Sequence, residues 1–230
     1  MNEFNQYDYH VSGDRNTARA LLSQVFAWMA IAMSVSGFFA WFAASNPQLL
    51  SMPMFVVMML LQLGIVMLLG RNLLGLSYGS VKALFIVYSI VSGLTLSIIF
   101  LLYSITSIIQ IFFASAGMFA FMAAYGWFTN ADLSAWRSLL MMAVWGIIIA
   151  MLVNLWLESP YFNIIISIIG VLVFAALTAY DIQNIKRLGI SLIERDEVWQ
   201  KVTIMCALTL YIDFINIFLF MLELFGERKR

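Results

Sequence analysis

Of 230 residues, 63% are hydrophobic and 10% are charged, and the mean hydropathy is +0.96. A soluble domain carries about 25% charged residues to solvate its surface, so this composition excludes a soluble globule and makes lipid the solvent. Twelve basic residues balance twelve acidic ones, which leaves no basic field for nucleic acid. The lone cysteine, Cys206, excludes an intramolecular disulfide and a zinc cluster, and it is expected to be a small buried hydrophobe.

Residues 1–19 carry Glu3, Asp8, Asp14, Arg15 and Arg19 before any apolar run. A cleaved signal needs a basic start and a short apolar core, so this stretch is expected to be a cytoplasmic aqueous tail. Between Arg19 and Arg71 lie 51 uncharged residues. One spanning helix takes about 20, so the run holds two, at 20–44 and 54–74, broken by Ser45-Asn46-Pro47 and Pro53. Arg71 then sits at a span end, where its stem can snorkel to the interface.

The 49 uncharged residues between Lys82 and Asp132 hold two more spans, 83–103 and 107–129, broken at Tyr103-Ser104-Ile105-Thr106-Ser107. The fifth covers 137–157. The sixth, 160–185, opens at Ser159-Pro160 and ends past Asp181, and a charged connection follows it. The seventh, 202–224, is interrupted by Asp213, and 227–230 form a short tail. The prediction is all-α: one polytopic membrane bundle of about seven helices.

Positive charge sets its orientation. With seven crossings the N-terminal side holds nine of the twelve Lys and Arg residues, and the other side only Arg228, Lys229 and Arg230. The N-terminus is therefore expected to be cytoplasmic, in a plasma or inner membrane if the source is bacterial. A re-entrant seventh segment would put all twelve on one side. A full crossing is favoured, because no central Gly or Pro breaks that segment. Trp41, Trp127, Trp136, Trp156 and Trp199 lie near span ends, as interface anchors do.

The two intramembrane aspartates need an explanation. An aspartate at a helix centre costs roughly 2.5–3.5 kcal/mol on insertion scales, whereas Gln62, Gln110, Asn154 and Asn163 are neutral and can be satisfied by a neighbouring helix. Thr178, Asp181 and Asn184 are spaced to share one face of the sixth helix, and Thr209, Asp213 and Asn216 one face of the seventh. Facing each other, these stripes would form a polar site in an apolar shell.

Depth is the difficulty: measured from Lys186 and Lys201, the carboxyls are offset by about 10 Å. If they meet, two carboxylates out of water resist joint ionisation and can share a proton. Such a pair could close a path when bridged and open it when both carry charge. It could equally bind a hard cation such as calcium, which takes six to eight oxygens. A plain hydrogen bond stapling two helices is the simpler alternative.

Ala179-Tyr180-Asp181-Ile182-Gln183-Asn184-Ile185-Lys186 and Leu208-Thr209-Leu210-Tyr211-Ile212-Asp213-Phe214-Ile215-Asn216-Ile217-Phe218-Leu219 resemble the last two helices of the Bax inhibitor-1-like (transmembrane Bax inhibitor motif) family, in its bacterial form. Gly93-Leu94-Thr95-Leu96-Ser97, Ala116-Gly117-Met118-Phe119 and Tyr125-Gly126 also resemble family segments, and the likeness runs over about 20–226. The resemblance implies seven helices with the last one central. It also implies a pH-sensitive calcium leak whose aspartate pair maps onto Asp181 and Asp213, both as gate and as metal site. An arginine ending helix two is implied as their partner, and Arg71 is the nearest candidate. No cofactor is required beyond a calcium ion, and the partners are the bilayer, calcium or protons. Two positions depart from the family pattern: Gln62 replaces a frequent Glu, and Glu223 a frequent basic residue.

Two rival functions differ in class. A non-transporting regulator would bind and restrain another membrane protein, such as a membrane protease or a cell-death factor. An intramembrane aspartyl protease would share the Tyr180-Asp181 element, but Tyr211-Ile212 stands where that family's second aspartate follows Gly-x-Gly. Gly75-Leu76-Ser77-Tyr78-Gly79 matches a nucleophile elbow in letters only. It lies between helices, and the one histidine, His10, is in the tail, so no enzyme is expected.

Overall fold

The computed structural model describes residues 3–46, 51–191 and 196–229, with side chains from Asn16 onward. It contains α1 (Glu3–Ala44), α2 (Met52–Asn72), α3 (Tyr78–Leu102), α4 (Ile105–Phe128), α5 (Arg137–Leu157), α6 (Pro160–Ser191) and α7 (Glu197–Phe225). Seven helices are long and apolar enough to cross a membrane, and α1 qualifies over Asn16–Ala44. Among the described residues there is no strand, only one isolated bridge. The fold is an all-α, multi-pass membrane bundle.

Burial differs sharply between helices. In the most apolar stretch of each, 61% of α7 and 56% of α6 are buried, against 17% of α2 and 11% of α5. The last helix is thus the most enclosed, while α2 and α5 turn apolar side chains outward to lipid. In hydrocarbon every backbone group must be satisfied within the segment, which explains why the connections are short and capped. Ser104 Oγ accepts from Ser107 N to open α4, and Asp132 Oδ1 accepts from Ser134 N to open the 3-10 turn Leu133–Trp136 before α5.

Several boundaries differ from the sequence reading. The tail over 1–19 is helical from Glu3, and α6 continues past 185 to Ser191. α7 begins at Glu197, not 202, because Asp196 Oδ1 caps the Glu197 amide at 2.7 Å. Pro53 lies in the first turn of α2, where its missing N–H costs nothing. Pro47 falls outside the described residues, as does the side chain of His10. Ser77, in the nucleophile-elbow match, sits between two helices and bonds Ser80 Oγ at 3.0 Å.

Two compact units divide the chain: Met1–Leu101 with Ile185–Thr209, and Leu102–Asn184 with Leu210–Arg230. In the first, α3 meets α1 at Gly93, where a Cβ would lie 2.4 Å from the Ser36 carbonyl oxygen. Ser36 Oγ bonds the Ser89 carbonyl at 3.0 Å beside it. Gln62 Nε2 donates to Thr95 Oγ1 at 3.0 Å, so this neutral departure from the family pattern is satisfied across α2 and α3. Lys201, 6% exposed, pairs with Glu197 at 2.8 Å.

Trp199 corrects an expectation. Trp41, Trp136 and Trp156 are exposed as interface anchors would be, but Trp199 is 1% exposed, and its Nε1 donates to Gln24 Oε1 at 3.0 Å. Starting α7 five residues earlier turns this indole onto α1.

The second unit has two distinct ends. At one, Asn163 in the first turns of α6 bonds Glu223 in the last turn of α7, and residues 226–229 bond the α3–α4 junction. Toward the other, Gln183 bonds the α4–α5 connection. α7 runs unbroken for 29 residues, about 43 Å, which suits a full crossing and not a re-entrant turn. Fused reporters are therefore expected to report opposite sides before Met1 and after Arg230. Activity of both on the same side in a paired phosphatase and fluorescent-protein assay would contradict this path.

Candidate functional site

α6 forms because Ser159 Oγ accepts from Phe162 N, Pro160 presets the first turn, and a long apolar run follows. α7 follows from the Asp196 cap and a similar run. Each carries an aspartate into the second unit: Asp181 on α6, partly buried, and Asp213 on α7, 4% exposed. Their carboxyl groups are near enough to interact directly. Neither Lys186 nor Lys201 marks a helix end, since α6 runs on to Ser191 and α7 begins at Glu197, so the offset counted from those lysines does not measure depth. Asp213 Oδ2 is buried with no hydrogen-bond partner.

The surroundings are apolar on the α4 side. Phe214 meets the edges of Phe112 and Phe119, with ring centroids 5.3 and 5.8 Å away. Gly126 of α4 is seated against α6 so closely that a Cβ would come within 2.2 Å of the Ala179 carbonyl oxygen. Against a dry wall, two adjacent carboxyl groups that share a proton cost less than two adjacent charges.

The other sequence-predicted residues are placed differently. Thr178 Oγ1 bonds the Phe174 carbonyl at 2.9 Å, Thr209 Oγ1 the Met205 carbonyl at 3.1 Å, and Asn216 Nδ2 the Ile212 carbonyl at 2.8 Å. Each donates to its own helix four residues back, as polar side chains in apolar helices do. Asn184 is exposed, and Thr209 belongs to the first unit. Arg71 lies in the last turn of α2, also in the first unit, with its side chain exposed. Among the described residues, no three His, Cys, Asp or Glu side chains gather as a metal cluster. A cation at the pair would take the rest of its oxygens from hydroxyls, carbonyls or water.

Two residues that the sequence reading missed bear on the pair. Arg137, the first residue of α5, is the cation whose charge acts on Asp181. Gln183, 7% exposed, accepts from the Leu133 amide at 2.9 Å and donates to the Ala131 carbonyl at 2.8 Å. It pins the turn leading to Arg137 against the helix that carries Asp181. Gln183 stands within the Tyr-Asp motif, but a spacing of two puts it off the stripe defined by threes and fours. Nothing local announced that a distant connection would cross there.

Comparison with known proteins follows the same residues. Residues 18–230 match the family described as "Inhibitor of apoptosis-promoting Bax1". The inner membrane protein YbhL of Escherichia coli (strain K12) is 41% identical over 214 residues, covering 90% of this chain and 92% of that one. A protein of Borreliella burgdorferi is 39% identical over 213 residues, with the same shares covered. RP147 of Rickettsia prowazekii is 36% identical over 216 residues, 92% of this chain and 91% of its own. With a match that begins in the first turn of the first span and runs through both aspartate helices, the chain belongs to the Bax inhibitor-1 family of membrane proteins.

Proposed function

We propose that the protein is a pH-sensitive cation leak, with calcium as its ion, gated by Asp181 and Asp213. The observation that carries this reading is the placement of two carboxyl groups within reach of each other on a membrane helix pair, with a buried Asp213 oxygen that lacks a partner. A structural staple would be better served by neutral groups, because an intramembrane carboxyl that does nothing is a standing cost. With one proton shared, α6 and α7 are drawn together and the path is closed. Once the proton leaves, two adjacent charges repel and the helices part, leaving oxygens that a hard cation can use. Protons and calcium thus compete for one site.

Arg137, whose charge reaches Asp181, belongs to the gate. Arg71 is kept as a second candidate partner, since it is the basic residue ending α2. Lysine and arginine placement supports a cytoplasmic N-terminus, and the name of the Escherichia coli relative suggests an inner membrane.

The test is calcium efflux from liposomes loaded with the ion and containing the purified protein, followed across pH. Efflux is expected to rise with pH. Wild-type protein with no pH-dependent flux would sink the leak and favour a regulator that restrains another membrane protein.

A further inference from the structure

The far end of α7 is held by bonds that a helix merely ending at a membrane surface does not need. Glu223, in its last turn, accepts from the Tyr103 phenol at 2.8 Å, from Asn163 Nδ2 at 3.1 Å and from an Arg228 guanidinium nitrogen at 2.9 Å. Asn154 Nδ2 donates to Asn163 Oδ1 at 3.2 Å and so orients that residue from α5. Burial and the Glu223 carboxylate hold the Tyr103 phenol above its usual value, so it remains a donor.

Beyond the helix the tail continues the connection. Ser104 N donates to the Glu227 carbonyl at 3.0 Å, Glu227 N to Ser107 Oγ at 2.9 Å, and Lys229 N to the Leu102 carbonyl at 2.8 Å. Tyr103 and Arg228 stand opposite each other in an antiparallel bridge, and the Arg228 guanidinium lies 5.8 Å from the Tyr103 ring centroid. Gly226 is needed at the turn, since a Cβ there would come within 2.6 Å of that ring.

We propose that this clasp, centred on Glu223, positions α7 by fixing its end to the α3–α4 and α5–α6 corners, and thereby keeps Asp213 in register with Asp181. Glu223 is ten residues from Asp213, about 15 Å along one unbroken helix. A helix moves as a rod over that length, so slip or rotation at Glu223 reaches Asp213 undiminished. Glu223 is a positioning residue, acting at a distance from the pair. The flux arm of its test rests on the leak proposed above, and the exchange arm does not.

The experiment uses the full chain in liposomes, with Glu223→Ala compared with a chain ending at Gly226. A third protein adds Tyr103→Cys and Arg228→Cys to Glu223→Ala in a Cys206→Ala background. Residues paired across a bridge lie at a separation that a disulfide can span, so oxidation replaces the lost clasp. Hydrogen exchange is expected to quicken about tenfold or more over Tyr211–Ile217 in the first two proteins, and to return to wild-type rates in the oxidised third. Calcium efflux at the pH where wild type is closed is expected to rise severalfold and to fall again on oxidation. Faster exchange confined to the tail and the α3–α4 junction would overturn the positioning role. A wild type that conducts nothing would count against the leak alone, with exchange over Tyr211–Ile217 still deciding the clasp.

Discussion

Asp213→Asn and Asp181→Asn are each expected to flatten the pH dependence of calcium efflux and leave it low throughout. An Asn amide donates a hydrogen bond to the remaining carboxylate without any titratable proton, so the bridge persists at every pH. In the wild type, closure depends on the shared proton. Efflux is therefore smallest at acid pH and rises as the proton is lost, by at most about tenfold per pH unit for one proton. Arg137→Gln removes a cation whose charge reaches Asp181. Its efflux rise should move to higher pH while keeping its shape. Arg71→Gln run alongside separates the two basic candidates. Unchanged pH profiles in both Asn variants would place the gate elsewhere.

Gly126→Leu is expected to be the most destabilising of the simple packing changes. A Cβ at Gly126 would sit 2.2 Å from the Ala179 carbonyl oxygen and 2.9 Å from its carbonyl carbon. The clash is with backbone, which cannot rotate away, so α4 must back off α6. Overpacking of this kind costs about 1–3 kcal/mol and occasionally more. For a chain of this size that is roughly 3–10 °C in Tm, measurable by thermal unfolding in detergent. Gly117→Leu on the same helix is the control: nothing lies within 4 Å of its Cβ position. It should unfold close to wild type, since leucine is the better helix former, and equal losses from both substitutions would mean that added bulk anywhere on α4, not the close approach, decides. Ala179 is two residues from Asp181, so Gly126→Leu should also disturb the carboxyl pair and raise efflux at acid pH.

Clasp, pair and close approach differ in how far the sequence revealed them. Asp181 and Asp213 stood out because each is expensive in an apolar run, and cost is readable one segment at a time. The stripes around them were a weaker inference. Spacing puts Thr178, Thr209 and Asn216 on the right faces, but each uses its donor on its own helix. Periodicity says which side of a helix a residue is on, and nothing about which acceptor it prefers. The arginines show a related limit. Arg71 and Arg137 both end or begin a span, and only folding, with Gln183 holding the turn at Ala131 and Leu133, brings Arg137's charge to bear on Asp181.

Seven spans, their approximate limits, the intramembrane carboxylates and the kinship of the two aspartate motifs were determined by the chain alone. Bilayer thickness and the cost of an unsatisfied backbone leave a long apolar run no other choice than a helix. Tertiary structure decided everything that depends on which helix lies beside which. It brought Asp181 and Asp213 within reach of each other, turned Trp199 from the interface onto Gln24, and made Gly126 a point of near-contact with Ala179. It also folded four tail residues back onto the α3–α4 corner through Glu223. In lipid the apolar surfaces of all helices resemble one another, so neighbours are chosen by sparse polar bonds and close steric fits between residues far apart in sequence.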